Sequence, residues 1–231
     1  MPTNLYPYAS ALLSAVIALL ILIPLARIVP QRLITQWQAN EDTFLVNEST
    51  TAEDRNYSLS LNNKLLLIFA ATVSGFLIIH QFGLKVSSIA LSAYFLSLLL
   101  LAAIDLQHDI LPDVIVFPTL ICGVLSHIFQ DQGYLFIVAA ILAYALPYAL
   151  VRLLYLLTKK ELLGGGDLKC FAMAGAWFGI DSLGTFFLIF FATLCMQIFA
   201  LVIFRHASRQ MPTALAHLSA AIFVAAGIAY F

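Results

Sequence analysis

Charge is scarce in this sequence. Lys, Arg, Asp and Glu make up 10% of its 231 residues, while 62% are hydrophobic. A soluble domain carries roughly a quarter charged residues, so this balance excludes one and indicates an integral membrane protein. The net charge of −1 says nothing about nucleic acid, and no basic block points to such a partner. Cysteine is nearly as rare: Cys122, Cys170 and Cys195 stand far apart in apolar stretches, with no CxxC pair. That excludes a disulfide framework and a cysteine-built zinc site. There is no internal repeat and no low-complexity segment. The first apolar run lacks the basic flank of a cleavable signal peptide.

Long apolar runs are what the chain has instead. A bilayer core of about 30 Å takes roughly 20 apolar residues as a helix. On that rule spans are expected near 9–29, 64–82, 86–104, 113–129, 134–157, 182–204 and 213–231, with a polar stretch from 30 to 63. Residues 167–180 make only about 21 Å of helix, a short sixth span or a re-entrant piece. Charge decides for a crossing. With eight spans and the N-terminus outside, Arg27, Arg32, Arg55, Lys64, Arg152, Lys159, Lys160, Lys169, Arg205 and Arg209 fall on the cytoplasmic side, and Lys85 alone falls outside. The expected fold is an all-α, polytopic membrane bundle of about eight helices with both termini outside the cytoplasm.

The few acids can then be weighed one at a time. Glu41, Asp42, Glu48, Glu53 and Asp54 lie in the polar stretch, and Asp131 and Asp181 at outer helix ends. "AAIDLQHDILPDVIVFP", residues 102–118, carries Asp105, Asp109 and Asp113 with no Lys or Arg, and "ELLGGGDLKC", residues 161–170, carries Asp167. In the topology above Asp105 ends span three and Asp167 begins span six, at one membrane level. An ionisable group at membrane depth is costly and marks a functional candidate. Two carboxylates sharing a site hold one proton between them, which suits general acid–base chemistry. The glycines beside Asp167 would let an extended backbone or another helix come close. The plainer alternative is a turn opening a helix, with Asp167 as its N-cap.

Together "DLQHDILPD" and "GGGD" resemble the type IV prepilin peptidases, membrane-embedded aspartyl proteases of the GxGD kind. In that family an aspartate is followed eight residues later by the aspartate of an Ile/Leu-Pro-Asp tripeptide, and GxGD follows about sixty residues on. Asp105 with Leu111, Pro112 and Asp113 fits the first part; Gly164, Gly166 and Asp167 fit the second, and "GAWFG" at 175–179 is also similar. The resemblance implies Asp105 and Asp167 as the catalytic pair, with Gly164, Gly166, Pro112 and Asp113 as supporting motif residues. Asp113 is expected to be structural, capping span four behind Pro112. The implied activity is cleavage of the leader peptide of type IV prepilins or type II secretion pseudopilins at the cytoplasmic face of the bacterial inner membrane. The implied partners are those leader peptides and the lipid bilayer; no metal and no cofactor is implied.

The resemblance stops at the N-terminal part. Full-length family members carry a zinc-binding pair of CxxC motifs between their first two spans, whereas residues 30–63 here have no cysteine. The glycine-rich end of span one is also missing, and "QMPTALAHLSAA" replaces the usual Pro-Phe-Gly-Pro run, keeping Pro212. The chain accordingly divides into 1–63, a first span with a degenerate loop, and 64–231, a peptidase membrane domain. The N-methyltransferase activity of bifunctional members is not expected. The rival function is a catalytically silent relative that acts as a membrane scaffold in pilus or secretion assembly. His80, His127 and His217 are expected to be packing residues, and His108 an exposed loop residue.

Overall fold

The computed structural model describes residues 6–41, 61–83, 85–108, 110–128, 133–159, 164–203 and 213–228. Within them regular structure is entirely helical: α1 (Tyr6–Ile17), α2 (Ile23–Glu41), α3 (Leu61–Phe82), α4 (Val86–His108), α5 (Asp113–His127), α6 (Tyr134–Thr158), α7 (Gly165–Ile203) and α8 (Thr213–Ile228). A π-helical stretch, Ala18–Leu22, joins α1 to α2. Five stretches are long and apolar enough to cross a membrane, namely Tyr6–Leu33, Asn63–Phe82, Val86–Leu106, Tyr134–Leu157 and Gly165–Phe199, and α5 and α8 are shorter apolar helices. The polytopic helical bundle expected from the sequence is therefore present. One boundary differs: the first helix does not stop near residue 29 but continues to Glu41 through Pro30. Hydropathy ends where side chains turn polar, whereas backbone hydrogen bonding carries on. Residues 42–60, with Glu48, Glu53, Asp54 and Arg55, lie outside the described residues, as does Asp109.

The long α7 is two helices. Gly179 interrupts it with φ 73° and ψ −178°, a backbone region open to glycine at little cost. In a straight helix Phe171 and Phe190 would stand about 28 Å apart at 1.5 Å per residue. Their rings instead meet at 4.7 Å between centroids. The chain thus folds back at Gly179, and 165–178 and 180–203 form an antiparallel pair, two helices where the sequence predicts two.

Alternating directions follow. The start of α4 (Val86, Ala90), the end of α5 (Ser126, His127), the start of α6 (Phe136), the turn at Gly179 (Trp177, Asp181) and late α8 (Ala225) line one cavity of about 640 Å³. The end of α4 and the starts of α5, α7 and α8 consequently gather at the opposite end of the bundle. α4 is the most buried of the long helices; Tyr94, Leu98, Leu101 and Ile104 are enclosed by their neighbours. Leu146, Leu150, Leu153 and Leu157 of α6, and Leu188, Met196 and Phe199 of α7, are exposed. In a membrane protein such outward apolar faces meet lipid tails.

Small residues bring the helices close where lipid gives no hydrophobic drive. A Cβ on Gly175 would lie 2.5 Å from the Ala139 carbonyl oxygen, so α6 and α7 touch backbone to backbone there. Ser10 donates its hydroxyl to the Gly75 carbonyl at 3.0 Å, tying α1 to α3. Trp177 Nε1 donates to the Thr119 carbonyl at 3.0 Å, tying α7 to α5.

Candidate functional site

Asp105 sits one turn before the end of α4 and Asp167 in the first turn of α7, and each is only 5% exposed. Burial of two carboxyl groups at one end of an apolar bundle is costly enough to demand partners or a use. Both, together with Asp113, lie within electrostatic reach of the buried thiol of Cys170, one turn beyond Asp167 on α7. Two segments some sixty residues apart in the chain thus converge on one locus. Cys170 marks that meeting point, although its isolated position in the sequence gave no sign of it.

The start of α7 fixes Asp167 locally. The helix begins at Gly165, so Asp167 is its third residue and not its N-cap. Its Oδ2 accepts the Gly164 N–H at 3.2 Å. This is the backward half of a capping box, in which the third helical residue satisfies the amide of the capping residue. The Thr213 side chain, at the start of α8, supplies a second hydrogen bond to the same carboxyl group.

The glycines divide between two roles. A Cβ on Gly166 would fall 2.8 Å from Cβ of Leu111, so this glycine lets the two motifs touch. Gly164 and Gly165 are exposed, and a Cβ on Gly165 would meet nothing within 4 Å among the described residues.

Pro112 is fully buried and precedes α5 with φ −68° and ψ 126°. Asp113 does not cap α5 as expected, because Pro112 holds the cap position with no side-chain bond. Asp113 is the first helical residue, and both its oxygens receive Lys169 Nζ at 2.7 Å. Lys169, expected only to set topology, also stands over the Phe117 ring at 5.5 Å. The pair fastens α5 to α7 beside the acids. His108 is the half-buried last residue of α4, not an exposed loop residue.

His217 also belongs to this site. It is 1% exposed, lies four residues after Thr213 on α8, and brings Nε2 to 3.8 Å from Asp167 Oδ1. Its spacing from the motifs carried no signal, since the chain between Asp167 and His217 turns back on itself at Gly179. Among the described residues no three His, Cys, Asp or Glu side chains gather as a metal-holding group.

Fold and site together define a polytopic membrane protein with two buried carboxylates from different helices at one end of the bundle. Residues 92–203, just under half of the chain, match the type IV leader peptidase family. It is 34% identical over 117 residues to a prepilin leader peptidase/N-methyltransferase of Pseudomonas aeruginosa, covering 50% of this chain and 40% of that protein. It is 38% identical over 88 residues to the protein of the same description from Klebsiella pneumoniae, covering 37% and 39%. With that of Neisseria gonorrhoeae it shares 30% over 151 residues, covering 62% and 50%. The chain thus spans half or less of the length of these relatives. No solved structure matches it.

Proposed function

We propose that the protein is an aspartyl endopeptidase of the bacterial inner membrane that removes the leader peptide of type IV prepilins or type II pseudopilins. Asp105 and Asp167 are its catalytic pair. The observation that carries this reading is the burial of these two carboxyls, on α4 and α7, where their two motifs touch through Gly166 and Leu111. In the proposed reaction the ionised carboxylate takes a proton from water, whose oxygen attacks the scissile carbonyl carbon. The protonated partner gives its proton to the carbonyl oxygen. The tetrahedral intermediate then collapses: the C–N bond breaks, the leaving amine takes a proton from the acid that gained one, and a hydroxyl of the intermediate returns its proton to the other carboxylate. The exposed turn at Gly164 and Gly165 is where an extended peptide backbone would approach.

The basic residues on the proposed cytoplasmic side, Lys159 and Lys169 among them, support cleavage at that face. The absence of cysteine from residues 30–63 supports cleavage without added methyl, in contrast to the second activity in the relatives' names. The test is to incubate the purified protein in lipid with a prepilin bearing its leader, and to follow product mass. Loss of the leader with no methyl mass added, abolished by Asp105→Asn and by Asp167→Asn, is the expected result. Cleavage that survives either substitution would remove the acid pair. No cleavage of several prepilins by the unsubstituted protein would favour the silent scaffold.

A further inference from the structure

His217 is a buried polar side chain that brings an unpartnered atom up to an unpartnered atom of the acid pair among the described residues. Neither imidazole nitrogen has a hydrogen-bond partner among the described residues, and neither has Asp167 Oδ1. The two face each other across 3.8 Å, beyond hydrogen-bond length but within a small side-chain movement of it. The other oxygen, Oδ2, is already held by Gly164 N–H. Phe171, Phe186 and Phe190 surround the imidazole, with ring centroids 4.6, 6.1 and 4.6 Å from it. In such a cage a neutral imidazole offers one N–H donor and one lone pair, and the hydrogen bond it makes decides which nitrogen carries the proton. Leaving a buried nitrogen idle is expensive, and a phenylalanine would fill the same space without that cost.

We infer that His217 is a positioning residue for Asp167: its Nε2–H donates to Oδ1 and fixes the rotation of the carboxyl plane toward Asp105. Thr213 and His217, one turn apart on α8, would then act together, so that α8 orients an acid carried by α7. This rests on the proposed function insofar as Asp167 is catalytic, but the contact itself does not.

Two measurements separate the possibilities. The first needs no activity. In protein labelled with ¹⁵N-histidine, His217 is expected as the Nε2–H tautomer, and Asp167→Ala is expected to shift its ring nitrogens. The Nδ1–H tautomer, or no response to Asp167→Ala, overturns the inference. The second is kinetic, with leader cleavage as the readout and Asp105→Asn and Asp167→Asn as controls. His217→Phe keeps the aromatic volume and removes the donor; kcat is expected to fall on the order of a hundredfold with KM little changed. His217→Gln keeps a donor near the Nε2 position and is expected to recover much of that loss. A merely packing histidine gives the reverse order, with Phe active and Gln impaired, and that order overturns the inference. If the unsubstituted protein does not cleave, the proposed function fails, and the tautomer measurement still decides the contact.

Discussion

Gly166 of α7 lies against Leu111, the residue before the buried Pro112, so closely that a Cβ on the glycine would come within 2.8 Å of the leucine Cβ. That contact sets α7, which carries Asp167, against the segment joining α4 to α5. Gly166→Ala is expected to force Leu111 aside, at about 1–3 kcal/mol, the usual cost of overpacking. Gly165→Ala meets no atom within 4 Å and is expected to leave the unfolding midpoint unchanged. Thermal unfolding of both variants in the same detergent checks the contrast.

The ion pair between Lys169 and Asp113 is partly exposed, with side chains 32% and 51% accessible. Exposed pairs contribute less than about 1 kcal/mol. Asp113→Asn is therefore expected to keep both fold and leader cleavage, whereas Asp105→Asn loses cleavage. Equal losses from the two substitutions would place Asp113 in the catalytic set. A cleavage assay on the two variants side by side is sufficient.

The turn at Gly179 makes its own demand. With φ at +73° and the Phe136 ring 3.1 Å from where a Cβ would stand, Gly179→Ala is strained twice over. The expected loss is at least about 1–2 kcal/mol from the backbone alone. It should appear as a lowered midpoint in detergent unfolding.

Trp177 reaches from α7 to the Thr119 carbonyl, and the two are buried. Trp177→Phe keeps most of the ring stacking with Tyr94, whose centroid lies 5.0 Å away, but loses the donor. A loss of about 0.5–1.5 kcal/mol is expected, the net value of one such bond. Trp177→Leu should cost more, since the ring goes as well. The two midpoints, measured together, test this.

The helices were readable because a bilayer asks for one simple thing, a run of apolar residues long enough to cross it. Even the short 167–180 segment was legible, since only a crossing there keeps Arg205 and Arg209 on the same side as the other cations. The extension of α2 to Glu41 was not, because hydropathy does not register a helix that has left the apolar run. At the site, Asp105 stood out in a segment without Lys or Arg, and Asp167 as an acid beside three glycines at the same membrane level. Their companions did not. Lys169 looked like one more topological charge until Asp113 was found beneath it. His217 sat in an apolar stretch at no telling interval, and only the reversal at Gly179, which brings Phe186 and Phe190 back beside Phe171, encloses it next to Asp167. Spacing along a chain carries no information about which helix a fold-back will bring alongside.

That one-residue reversal also works as a depth gauge. Asp167 precedes Gly179 by twelve positions, about 18 Å of helix, while the hydrocarbon core is about 30 Å thick. If the bend rides at the far surface, the acid hangs roughly 12 Å short of the near one. A peptide bond brought to it must dip below the headgroups, and water must follow it down. In the proposed reaction the short arm of the hairpin would set how far into the membrane hydrolysis takes place.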